Sequence, residues 1–410
     1  MFVLFLIATS FLIPFFSYKK NVFNKNYFIV FCFFILLHQL FSILFTSNGL
    51  IFPSYDSGDF NHLASLGYPQ MCEEPLYHLS ICESFRFNDA YTFSYVYSFF
   101  YKLENSILTG NSLSIIGYVI SIIMLTKMMN LLEVSSSRQL WVLILTSILP
   151  INISVESQVM RESWMLCFFV TMIYFIIKHY LVDRRARNIF FAFVLFLLLL
   201  ILHFKSAIFY GSCIFMLYLY ILFRCTIKFN AEAMAILFIL LIVFFGVFYY
   251  CILQGFGDQQ SIFSIINQWI KKVIGIQSLE KSTTNYTTTS DSNTNFLFFV
   301  LLQNIRYWFA PYPWEALNKG FLSLIFSIIG FLRFFMITSI VYSWRNYKLT
   351  LTRERREVHT FLFFCLFFVT FTFALGTGNY GTSVRHWDVS WWILCLLFVY
   401  TREKTIRVIL

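Results

Sequence analysis

Long apolar runs separated by short polar stretches dominate this sequence. They fall at about residues 2–17, 27–45, 112–132, 139–155, 157–178, 188–204, 206–223, 234–253, 320–342, 359–377 and 388–401. Roughly 20 apolar residues cross a hydrocarbon layer as a helix, and the pattern predicts about eleven such crossings. Two further apolar patches, near 91–101 and 294–310, are short or broken by proline and read as interfacial or re-entrant pieces. The first run lacks a basic leading region and flows into "SYKKN", so it is expected to stay as a span and not to be cleaved. The fold class expected is all-α: a polytopic integral membrane protein, 1–410 forming a single transmembrane domain. Its large polar loops lie at about 46–111 and 254–319.

Composition agrees. Hydrophobic residues make up 59% and charged residues 12% of the 410, where a soluble domain is nearer half and a quarter. Basic residues then orient the chain, because cytoplasmic loops are enriched in Lys and Arg. With the N-terminus outside and the C-terminus inside, 19 of the 30 Lys and Arg fall inside, including "RNYKLTLTRERRE" and the tail "REKTIR". Ten fall outside and Arg333 lies within a span. The net charge of +10 is therefore a topology signal and does not imply nucleic-acid binding. The nine cysteines form no metal-binding pattern. Cys72 and Cys82 share the first outer loop, where a disulfide or two free thiols are both compatible with the spacing.

Against this background five polar clusters stand out, all at the predicted outer face. The first loop opens "FPSYDSGDFNHLASLGYP", with Asp56 and Asp59. The stretch "ESQVMRESWMLCFFVTMIYFIIK" places Arg161 and Glu162 side by side, one turn inside its apolar run. His203 and Lys205 occupy the short turn "LHFKSA"; Arg306 and Glu315 lie in "LLQNIRYWFAPYPWEALNKG"; Arg385, His386 and Asp388 lie in "GTGNYGTSVRHWD". Ionisable groups at membrane depth are costly and usually line a site or pathway. Plainer readings stand beside each cluster. Arg161 and Glu162 can neutralise each other, His203 and Lys205 can anchor at headgroups, and Arg306 can belong to an aromatic–proline anchor. Arg385 can be an ordinary loop arginine, and Asp56 and Asp59 solvated acids. Adjacent helix positions point about 100° apart, which favours separate partners for Arg161 and Glu162.

Several cations converging from different helices suit a phosphate or diphosphate, because guanidinium donors match phosphate oxygens in two-point contacts. The residues expected to hold it are Arg161, Lys205, Arg306 and Arg385. A membrane-embedded diphosphate points to a polyprenyl carrier of sugars, and transfer from it expels a diphosphate that fixed positive charge stabilises. A carboxylate or histidine, Glu162 or His386, takes the proton of the incoming hydroxyl.

"YDSGDFNHLA" resembles the D-x-x-x-Y-x-x-x-A pattern in the first outer loop of GT-C glycosyltransferases, with Phe60 in the aromatic place. That resemblance implies a catalytic acid at Asp56 or Asp59. "SQVMRESWML", "RYWFAPYPWE" and "GNYGTSVRHWD" together resemble the multi-spanning O-antigen (Wzy-type) and exopolysaccharide polymerases of bacteria. The likeness implies polymerisation of polyprenyl diphosphate-linked oligosaccharide repeat units at the outer face of the bacterial inner membrane. Arg161, Arg306 and Arg385 would hold the substrate, with membrane lipid and a chain-length regulator protein as partners and neither cofactor nor metal. The family gives Glu162 no role. Two alternatives stay open: a GT-C transferase using a polyprenyl-phosphate sugar, and a transporter or flippase of the lipid-linked sugar. A purely structural membrane subunit is a third.

Overall fold

The computed structural model describes residues 1–46, 55–66, 89–202, 296–317, 321–347, 352–376 and 380–409, with residues 211, 214 and 218. These are all-helical and contain no strand. They divide into two compact units, Met1–Ala207 with Ile409–Leu410, and Ile208–Val408. The expected spans 206–223 and 234–253, the loop 254–295, His203, Lys205, Cys72 and Cys82 lie outside the described residues, apart from those three isolated positions.

The first unit holds α1 (Phe2–Lys19), α2 (Lys25–Thr46), α3 (Tyr55–Leu66), α4 (Asp89–Tyr101) and α5 (Ile107–Leu131). It continues with α6 (Ser136–Ser147), α7 (Pro150–Glu156), α8 (Arg161–Leu181) and α9 (Ala186–Leu202). α5 is its axis and packs against α1, α2 and α8. Small residues on α5 allow the close approach that apolar surroundings favour: a Cβ added at Gly117 would sit 3.3 Å from the Ser163 carbonyl oxygen of α8. Ser106 caps α5 by accepting from the Leu108 amide at 3.3 Å. α1 ends where Asn21 turns left-handed at φ 56°, a conformation asparagine tolerates.

Two sets of contacts mark the ends of this unit. At one end Glu104, after α4, accepts from the Val3 amide at 3.0 Å, and Asn111 donates to the Ser42 carbonyl at 3.4 Å. At the other, Asn130 donates to the Val22 carbonyl at 2.8 Å, Gln139 donates to Asn130 at 2.8 Å, and Tyr27 bonds Thr126 at 2.7 Å. The turns carrying Lys20 and Arg138 therefore share one end.

The second unit holds α10 (Phe296–Phe309), the short α11 (Pro313–Ala316), α12 (Phe321–Tyr347), α13 (Arg353–Gly376) and α14 (Tyr380–Ile409). α10 packs against α12 and α13. Gly330 permits the first of these contacts, since a Cβ there would lie 2.7 Å from the Phe309 carbonyl oxygen.

Among the described residues five helices are long and apolar enough to cross a membrane: Phe2–Lys19, Lys25–Thr46, Ile107–Leu131, Arg161–Leu181 and Ser323–Trp344, with Ala186–Leu202 a shorter apolar one. Their outward faces are apolar. On α2, Ile29, Phe33, Leu36, Leu40 and Ile43 are exposed in one helical stripe while His38, Gln39 and Ser42 are buried. α12 exposes Leu324, Ile328, Phe331 and Phe335 in the same way and buries Arg333. Such stripes make sense against lipid, because polar groups there must be satisfied inside the protein. The expected run 139–155 is not one helix. Pro150, which cannot continue the amide ladder, divides it into α6 and α7, and the Asn152 side chain bridges the gap by donating to the Thr146 carbonyl at 2.6 Å.

Candidate functional site

The connection from α7 to α8 is the most unusual backbone in the first unit. α7 stops at Glu156, residues 157–160 are not helical, and α8 begins at Arg161. Arg161 is thus the first residue of its helix and not one turn inside it. Ser157 and Gln158 therefore share no continuous helix with Arg161 and Glu162. Nor is this connection a surface turn: Ser157, Gln158, Val159 and Met160 are all buried.

Its depth follows from its neighbours. Ser157 meets His38, eight residues before the end of α2, or about 12 Å along the helix. The Met160 amide donates to Ser114 Oγ at 3.5 Å, and Ser114 lies seven residues inside α5, about 10 Å. Unwound backbone at such a level persists where protein covers it or where it lines a cavity. Side chains replace the missing ladder. Gln158 donates to the Ser154 carbonyl at 2.9 Å, Ser163 Oγ donates to the Val155 carbonyl at 3.4 Å, and Ser114 takes the Met160 amide just before α8. Tyr97 holds Ser114 at 3.1 Å and accepts from Trp164 Nε1 at 2.9 Å, tying α4, α5 and α8 together.

Charge gathers at this break. Arg161 Nε lies 3.9 Å from the buried carboxylate of Glu162, and its guanidinium carbon lies 5.6 Å from the centroid of the Phe60 ring. Phe60 belongs to α3, so the structure joins two of the five clusters read from sequence. Positions 56, 60 and 64 of the D-x-x-x-F-x-x-x-A stretch are spaced by four along α3, and Phe60 and Ala64 are buried. Asp56 sits one turn before Phe60, and Asp59 is exposed. α4 fixes α3 through Tyr101 Oη, which donates to Asn61 at 2.5 Å. Beneath Arg161, His38 bonds Ser157 Oγ at 3.0 Å through Nδ1 and faces Glu156 at 3.6 Å through Nε2; all three side chains are buried.

The second unit joins two further clusters. Arg306 pairs with Glu315 at 3.5 Å across the proline turn, where Glu315 also accepts from the Tyr312 amide at 3.2 Å. Its neighbour Tyr307 meets Trp387 edge-on, ring centroids 6.4 Å apart. Trp387 in turn is covered by the buried guanidinium of Arg333, 3.9 Å above its ring, with Trp391 at 5.9 Å. Arg385, His386 and Asp388 were expected in an outer loop, but α14 starts at Tyr380 and all three are helical. His386 is buried and stacked 4.3 Å from Phe373, and Asp388 accepts from Trp392 Nε1 at 3.1 Å. Arg385 is described only as a position on the helix.

Sequence reasoning missed His38 and Glu156, and noted Ser157 and Arg333 without assigning either a role. One signal was present for His38 and Arg333: each is a lone ionisable residue in an apolar run. Among the described residues no group of three His, Cys, Asp or Glu is placed to hold a metal ion. No family model, curated protein or solved structure matches this chain.

Proposed function

We propose that the protein polymerises oligosaccharide units carried on a polyprenyl diphosphate, using Arg161 at the head of α8 to hold the diphosphate. One observation carries this: a guanidinium at the positive end of a membrane-length helix, beside a buried unwound segment and over an aromatic ring. A helix N-terminus already favours anions, so a cation placed there adds to a field that suits a highly charged ligand.

In the reaction, a hydroxyl oxygen of the acceptor sugar attacks the anomeric carbon of the carrier-linked unit. The bond from that carbon to the diphosphate oxygen breaks, and the diphosphate leaves with the electron pair. Arg161 stabilises the charge it gathers. Glu162, buried against Arg161, takes the hydroxyl proton as its partner arginine turns to the diphosphate. Phe60 offers its ring face to the guanidinium.

The interior break also favours a second reading, in which the protein moves the same lipid-linked sugar across the membrane, because transporters build substrate sites from discontinuous helices. A GT-C transferase using a polyprenyl-phosphate donor would instead require Asp56 or Asp59. Reconstitution separates the three. Purified protein in proteoliposomes supplied with polyprenyl diphosphate-linked oligosaccharide should give a ladder of longer glycans. Movement of the lipid between leaflets with no new glycosidic bond would overturn the polymerase reading. Activity only with a monophosphate donor would assign the transferase.

A further inference from the structure

We infer that His38 is a positioning residue for this reaction, the clasp that holds the unwound segment 157–160 and so aims Arg161; the inference rests on the diphosphate reading of Arg161. His38 is buried on α2, hydrogen-bonded through one ring nitrogen and in contact with neighbours through the other and through its face. Nδ1 meets Ser157 Oγ at 3.0 Å, on the first residue after α7. Nε2 faces Glu156 Oε2 at 3.6 Å, on the last residue of α7. The ring face lies against Tyr118 of α5, centroids 4.3 Å apart and planes 32° apart. Tyr118 Oη in turn bonds Ser147 Oγ at 2.6 Å, at the end of α6. One imidazole thus links α2, α5 and both residues at which α7 stops.

The placement matters because the segment has few bonds of its own. A four-residue stretch without a continuous helical ladder relies on side chains for much of its shape. Ser114 secures its far end at Met160, and His38 secures its near end at Ser157. Arg161 and Glu162 follow directly. Loss of the near clasp lets the segment shift while both helices remain formed. A displacement of about 1 Å at a catalytic group costs on the order of a hundredfold in rate.

Three variants test it. His38→Phe keeps a ring against Tyr118 and removes both nitrogens. Ser157→Ala removes the partner hydroxyl, and His38→Asn keeps an amide able to meet Ser157. Hydrogen exchange of the purified protein in lipid nanodiscs reads the segment itself. Amides of residues 157–162 should exchange about tenfold faster or more in His38→Phe and in Ser157→Ala, as for a lost buried hydrogen bond. The double variant should add nothing further, and His38→Asn should recover most of the protection. Binding of polyprenyl diphosphate, measured in parallel, should weaken in His38→Phe and recover in His38→Asn.

Unchanged exchange in His38→Phe overturns the clasp. Faster exchange with polyprenyl diphosphate binding still at wild-type strength overturns the positioning role. If wild-type protein shows no binding of polyprenyl diphosphate, the reading of Arg161 fails and the positioning role with it. The exchange data would then still decide whether His38 holds the segment.

Discussion

Gly110 offers a sharp test of how tightly the first unit is packed around the break. It lies in the first turn of α5, and a Cβ built there would press on the Tyr101 hydroxyl and come within 2.6 Å of Val159 Cγ2. Tyr101 cannot simply turn aside, since its hydroxyl is bonded to Asn61 of α3. Val159 is buried in the unwound segment. At an open helical position Gly→Ala stabilises by about 1 kcal/mol through backbone entropy. Forcing a methyl into a filled interior costs about 1–3 kcal/mol, and here two neighbours must give at once. Gly110→Ala is therefore expected to destabilise by about 1–2 kcal/mol net, read as a lower midpoint in thermal unfolding of the detergent-solubilised protein. Tyr101→Phe removes the atom most directly in the way, so the double variant should lose less than the two single losses added together. Gly110→Ala as stable as wild type, or strict additivity with Tyr101→Phe, would refute the packing described for α3, α4 and the break.

Two other substitutions probe the charged groups. Phe60→Leu keeps an apolar side chain under Arg161 but removes the ring; a cation–π contact of this kind contributes about 0.5–2 kcal/mol, so the KM for the lipid-linked substrate should rise severalfold while Phe60→Tyr stays near wild type, and equal KM values in Phe60→Leu and wild type would make the contact incidental. Arg306 and Glu315 are both partly exposed, and such pairs contribute about 0.2–1 kcal/mol. Arg306→Ala should therefore barely move the unfolding midpoint. If it also leaves glycan elongation intact, Arg306 belongs to the proline turn and not to the substrate site.

The sequence was most readable where apolar length alone decides. The runs at 2–17, 27–45, 188–204 and 320–342 match α1, α2, α9 and α12 within a few residues at most ends. Five helices of crossing length are present among the described residues, fewer than the eleven runs counted. The break before Arg161 was not readable, because "SQVM" has nothing that forbids a helix. What unwinds it is distant: Ser114 takes the Met160 amide and His38 takes Ser157. The start of α14 was misplaced for a related reason. The polar stretch before the last apolar run suggested a loop through Arg385–Asp388, but Trp387, Trp391 and Trp392 are buried along one continuous helix that includes it. Periodicity sees a helix face, whereas partners on other helices decide which polar side chain is structural.

The candidate site was half visible. Arg161, Glu162 and the "YDSGDFNHLA" stretch were singled out separately, and the Phe60–Arg161 contact supplies the link between them. His386 was chosen for its chemistry, and its stacking on Phe373 is a contact that no local pattern encodes. Glu156 was overlooked and Ser157 given no role because an acid and a serine at the edge of an apolar run read as an ordinary helix end. Only the arrival of His38 from α2, 119 residues earlier, gives them a shared purpose.

The central claim is that Arg161 serves a diphosphate and not merely Glu162, its neighbour at 3.9 Å. Glycan chain length should be compared at equal membrane expression in wild type, Arg161→Ala, Arg161→Lys, Glu162→Ala and the double Arg161→Ala/Glu162→Ala. Losing one donor to a developing charge costs on the order of 10²–10³ in rate, so Arg161→Ala should abolish elongation. Arg161→Lys should retain part of it, because a point charge replaces a planar fork. The double variant should be as inactive as Arg161→Ala alone. Wild-type chain lengths in the double variant would show that the arginine only neutralises Glu162, and would contradict the account.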